Sequence, residues 1–142
     1  MKNIFPDILK IAYKNNIIKP FSGSISYKEG NMRYFYINSN SIIDSKSSPN
    51  IHRINIEKDY FELNIETKIR VTKDIDLHGI TMLKNFSDNI ILLQPDPNYL
   101  NKIETISNVQ EKYSIEKIKI NDKILYKSDI DKFNDFINEI II

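Results

Sequence analysis

Three aspartates, Asp74, Asp76 and Asp96, make the strongest chemical constellation in the chain. Carboxylates brought together hold a hard cation such as Mg2+ or Mn2+ through oxygen and water. The same three residues also stand where helices are expected to begin. There Asp is favoured by free backbone N–H groups and the helix dipole. His78 lies on the helix that Asp74 or Asp76 would open. It is a candidate general base or ligand, or else a satisfied, partly buried histidine. His52, the only other histidine, follows a polar stretch where exposure is expected. Ser22-Gly23-Ser24 is a short turn whose N–H groups could cradle an anion. Tyr34-Phe35-Tyr36, with Tyr27 and Arg33 nearby, could stack bases, or could simply pack a strand.

The elements that must position these residues follow from hydrophobic period. Residues 7–16 give an apolar helical face of Ile8, Leu9, Ile11, Ala12 and Tyr13, with Pro6 at the start and Pro20 beyond the end. Residues 23–27 and 34–38 read as strands around a turn at 28–31. Residues 39–50 are polar and predict a loop. Residues 53–57 and 60–65 alternate and predict two further strands.

A helix is predicted from Asp74 or Asp76 to about residue 86. Residues 90–93 are continuously apolar, as in a central strand covered on both faces. Asp96-Pro97 then provides a cap and a Pro at the first helical position. Residues 115–120 and 124–126 read as strands around Asn121-Asp122. Ser128 and Asp131 resemble a capping box ahead of a final amphipathic helix. That helix ends in three isoleucines, which predicts packing in the core or in a subunit interface.

Composition narrows the function classes. With 142 residues, 41% hydrophobic and 27% charged, the chain reads as one globular domain over 1–142. The expected fold is a three-layer α/β/α domain with a mixed, largely antiparallel central sheet. Twenty basic residues face nineteen acidic ones, so no general attraction to nucleic acid or membrane is expected. Only Arg33, Arg53 and Arg70 carry a guanidinium. Cysteine is absent, which removes disulfide and thiolate chemistry. No signal-peptide pattern or membrane-span pattern is evident, and a cytoplasmic location is expected.

The order of these segments resembles the class II aldolase/adducin head domain. Ser22-Gly23-Ser24-Ile25-Ser26 is similar to that family's Gly-Asn-x-Ser strand entry. Residues 36–41 resemble its Ile-Thr-Pro-Ser-Gly strand end. Thr72-Lys73-Asp74-Ile75-Asp76-Leu77-His78 resembles Ser-Ser-Glu-x-Pro-x-His. Residues 91–99 resemble the strand ending His-Thr-His-Pro, and residues 120–133 the closing strand pair and helix.

The resemblance implies an oligomer with active sites between subunits. It implies a zinc ion held by three histidines that polarises a carbonyl or enediolate oxygen. Under it, Asp74 takes the catalytic acidic position. Gly23, Ser24, Thr72 and Lys73 take the positions that hold substrate phosphate.

The histidine pair, however, is replaced by Gln94 and Asp96, and none stands near Asn121-Asp122. With two histidines in the chain, a three-histidine zinc site cannot form within one subunit. The expectation is therefore a divergent class II aldolase-like protein without zinc, acting by binding a phosphorylated or hydroxylated metabolite or by homo-oligomeric assembly. No resident cofactor is expected. One alternative is an active metal-dependent lyase or epimerase with Mg2+ or Mn2+ on Asp74 and Asp96. Another is a pure protein-interaction module.

Overall fold

The computed structural model describes residues 4–19, 22–38, 51–56, 75–84, 89–104 and 111–141. Its elements are α1 (Ile4–Lys14), β1 (Ser24–Lys28), β2 (Tyr34–Asn38), β3 (Ile51–Asn55), α2 (Ile75–Lys84), β4 (Ile90–Gln94), α3 (Pro97–Glu104), β5 (Glu116–Ile120), β6 (Lys123–Ser128) and α4 (Ile130–Ile140). The strands form one sheet in the order β3-β2-β1-β4-β6-β5. All pairings among the described residues are antiparallel. The expected mixed sheet is corrected accordingly. The apolar run of β4 reflects cover on both faces, not parallel pairing, because β4 runs antiparallel to both β1 and β6.

Two apolar clusters supply that cover. On one face, Ile25, Tyr27, Ile91, Leu93 and Tyr126 meet buried residues of α1, α3 and α4, among them Phe5, Ile8, Ile103, Phe133 and Phe136. On the other, Phe35, Ile37, Ile54, Ile90 and Leu92 pack with Ile75 and Met82 of α2. Alternation sends successive side chains of β1 to these two faces. Ile25 and Tyr27 go to the larger cluster, while Ser24, Ser26 and Lys28 turn towards α2 and are buried too. A central strand with three buried polar residues on one face must find partners for them. No helix among the described residues is long and apolar enough to cross a membrane.

The element ends refine the sequence reading. α1 begins three residues earlier than predicted, with Pro6 in its first turn, where an N–H has no helical partner to lose. Its terminator is Asn16, in the left-handed region at φ 59°. The N–H groups of Asn16 and Ile17 donate to the carbonyls of Tyr13 and Ala12, closing the last turn. The β5–β6 hairpin turns on Asn121 and Asp122, both left-handed, as a two-residue connection between right-twisted strands requires.

Three other expectations need correction. The cap of α4 is Asp129, whose carboxylate accepts from the N–H groups of Asp131 and Lys132. Ser128 is still in β6, opposite Ile91, so it cannot take the cap geometry. Lys28 lies within β1, and the turn starts after it. His52 is half-buried in β3 opposite Ile37, on the α2 side. The expected loop over 39–50 and strand over 60–65 lie outside the described residues.

Candidate functional site

The turn that closes α1 delivers the chain to the end of β4. Ile17 accepts a backbone hydrogen bond from Asp96 N–H at 2.7 Å. Lys19 and Ser22 then bridge each other, and Gly23 turns the chain into β1 at φ 88°. The glycine is required on two counts. Its φ is left-handed, and a Cβ there would come within 2.9 Å of Gln94 O and of Ile18 Cγ2, and 3.0 Å of Asp96 N. This approach sets Ser22 on Asp96, and β1–β4 register sets Ser24 opposite Gln94.

Asp96 is buried and fully engaged. Ser22 Oγ donates to its Oδ1 at 2.5 Å. Asn98 N–H donates to its Oδ2 at 3.1 Å, which is the N-cap bond of α3. Lys19 Nζ lies 3.8 Å from the same oxygen. Carboxylate charge is thus met by a hydroxyl, a helix N-terminus and an ammonium group.

Ser24 and Ser26 meet His78. The imidazole projects from α2 onto the polar face of β1 and is fully buried. Nε2 lies 2.6 Å from Ser24 Oγ and Nδ1 lies 2.6 Å from Ser26 Oγ. Ser24 Oγ also donates to Gln94 Oε1 at 3.3 Å. One proton arrangement satisfies all three contacts with a neutral ring. The single Ser24 proton goes to Gln94, so Nε2–H donates to Ser24 Oγ, and Nδ1 accepts from Ser26. In that arrangement Nε2 already carries its proton. It cannot accept one from Ser24, as nucleophilic activation of that hydroxyl would need.

The structure therefore joins Ser22, Gly23, Ser24, Gln94 and Asp96 around one strand junction, with His78 and Ser26 beside it. Thr72, Lys73 and Asp74 lie outside the described residues. Asp76 is exposed in the first turn of α2. Among the described residues, no cluster of three or more His, Cys, Asp or Glu forms a metal-binding group.

Two members were not visible as site residues in the sequence. Ser26 was foreshadowed by alternation, which puts it on the same face as Ser24, but its partner is 52 residues away. Lys19 had no signal, since its role depends on the α1 turn folding back to β4. Beside them Asn38, buried at the end of β2, accepts from Ile25 N–H and donates to Tyr13 Oη, both at 2.8 Å. It takes up a strand N–H that backbone pairing would otherwise serve.

Comparison with protein-family models, with curated proteins and with solved structures finds no match to this chain.

Proposed function

We propose that this chain is a divergent relative of the class II aldolases that keeps a binding or assembly scaffold without zinc chemistry. The observation that carries this reading is the state of Asp96. Of the two positions that align with the family's ligand histidines, Gln94 is neutral and receives Ser24. Asp96 has both oxygens occupied by donors and an ammonium group at 3.8 Å. Lys19 supplies the positive charge that a metal ion would otherwise bring. A cation entering here would have to displace Ser22 and Lys19 and uncap α3. The contacts of His78 with Ser24 and Ser26, which occupy both ring nitrogens, favour the same reading.

On this reading the Ser22–Ser24 turn, with Thr72 and Lys73, would contact a phosphorylated or hydroxylated metabolite, or the scaffold would act through self-assembly. Metal analysis of pure protein, an aldol-cleavage assay on phosphorylated aldols, and thermal unfolding with millimolar Mn2+ or Mg2+ test it. Substoichiometric metal, no turnover and an unchanged midpoint are expected. Stoichiometric zinc, measurable turnover, or a Mn2+ shift abolished by Asp96→Asn overturns it, since a ligand that binds only the native state must raise its stability.

A further inference from the structure

The turn that leads into β1 places a hydroxyl on a carboxylate within reach of solvent. Ser22 is half-buried, whereas Ser24 is fully buried, and Ser22 Oγ donates to Asp96 Oδ1 at 2.5 Å. Asp96 is itself held from behind. Asn98 N–H donates to Oδ2 at 3.1 Å, and Lys19 Nζ lies 3.8 Å from the same oxygen. A nucleophile within hydrogen-bond reach of a base, with that base oriented by a third group, is the arrangement that activates a hydroxyl. Gly23 follows Ser22 directly and is left-handed. Its N–H lies outside the β1–β4 ladder, which starts at Ser24, and makes no hydrogen bond among the described residues. A free backbone N–H on the residue after the nucleophile is the donor that a developing oxyanion uses.

Capping of α3 accounts for only one oxygen of Asp96. Oδ2 takes the helix N–H, as an N-cap requires, while Oδ1 is left to Ser22. A carboxylate is a weak base, and this restricts the substrate. The leaving group must depart readily, so an amide or an alkyl ester is too unreactive. A thioester or an aryl ester fits. Lys19 offsets the carboxylate charge beside the hydroxyl, so an uncharged acyl group can approach.

We propose that Ser22 is a nucleophile that accepts an activated acyl group, with Asp96 as its base. Ser22 Oγ bonds to the carbonyl carbon as its proton passes to Asp96 Oδ1, and the negative oxygen forms against Gly23 N–H. The bond from carbon to the leaving sulfur or oxygen then breaks. The departing thiolate or phenolate takes the proton from Asp96. Water adds to the carbonyl of acyl-Ser22 and gives a proton to Asp96. The Ser22 oxygen leaves, recovers that proton, and the carboxylic acid is released.

The test treats the full chain with a fluorophosphonate probe, maps the adduct by peptide mass spectrometry, and follows hydrolysis of p-nitrophenyl acetate. A single adduct, on Ser22, is expected. Ser22→Ala should abolish both the adduct and the hydrolysis. Asp96→Asn, which keeps a capping oxygen on α3, should slow labelling about a hundred-fold, the lower end of what a positioned base contributes. Ser128→Ala should change neither. If Asp96→Asn does not fold, the wild-type adduct and Ser22→Ala still decide. No adduct, labelling spread over other serines or lysines, hydrolysis that survives Ser22→Ala, or labelling unchanged by Asp96→Asn in a variant with native circular dichroism overturns the proposal.

Discussion

Replacing His78 by Ala tests whether the imidazole is the link that joins α2 to the sheet. Ser26 Oγ has His78 as its hydrogen-bond partner, and Ser24 keeps only the 3.3 Å contact to Gln94 once the ring is gone. A buried hydroxyl left without a partner costs about 1–3 kcal/mol. Removing a ring from a fully buried site adds a cavity term of similar size. The combined loss is about 3–5 kcal/mol, against a total of about 5–15 kcal/mol for an ordinary domain.

For a chain of this length each kcal/mol moves the unfolding midpoint by about 3 °C, so a fall of about 10–15 °C is expected. Urea denaturation and thermal circular dichroism give both numbers. If His78→Ala does not fold, Ser26→Ala gives the milder reading. It removes the Ser26 hydroxyl from Nδ1 and should cost about 1–2 kcal/mol. The triple change His78→Leu, Ser24→Ala and Ser26→Ala should recover much of the loss, because a buried site with no polar group leaves nothing unsatisfied. A His78→Ala cost below about 1 kcal/mol, or strict additivity of His78→Ala with Ser26→Ala where contacting residues should couple, refutes this reasoning.

Four further changes probe other joints. Gly23→Ala forces a Cβ to 2.9 Å from Gln94 O at a left-handed φ, and a loss of about 2–3 kcal/mol is expected by denaturant titration. Asp129→Ala should cost about 1 kcal/mol by uncapping α4. Ser128→Ala should be neutral or stabilising, since its buried Oγ makes no hydrogen bond among the described residues. Lys117, and then the Tyr126 hydroxyl, hold the Glu104 carboxyl below its ordinary value near 4.5. Between the two values the unfolded chain binds the extra proton, so stability falls as pH drops below about 4.5. Glu104→Gln should flatten that part of the pH–stability profile, by less than about 1 kcal/mol for so exposed a pair.

Burial drives a second group of side chains the other way. Desolvation, followed by the Glu29 carboxylate that accepts its hydroxyl at 2.9 Å, raises the Tyr27 phenol above its ordinary value. Tyr126 is raised by burial and by Glu104 in the same manner. Both remain neutral donors across the pH range of ordinary assays. Their hydroxyls pin strand side chains to acidic groups at the margin of the larger cluster.

The sequence by itself determined most elements and their faces. The strand patterns of residues 23–27 and 34–38, the helical stripe of 130–140 and the Asp96-Pro97 helix start are local signals, and the backbone follows them to within a residue or so at the ends. So is the burial of β4, whose unbroken apolar run has no other use. What only the tertiary structure decided is which of these signals meet. His78 could be read as buried, but its two serines lie 52 and 54 residues away, and nothing near it in the chain names them.

The cap of α4 moved from Ser128 to Asp129 because strand pairing holds Ser128 in extended register one residue longer than the helix pattern implies. Asp96 looked the same from sequence as a cation ligand or a helix cap. The fold-back of the α1 turn brought Ser22 and Lys19 to it and gave its oxygens their partners. Short-range periodicity depends on one residue's neighbours, whereas the pairing of charges and hydroxyls depends on chain closure over many tens of residues. Sequence pattern carries the first and not the second.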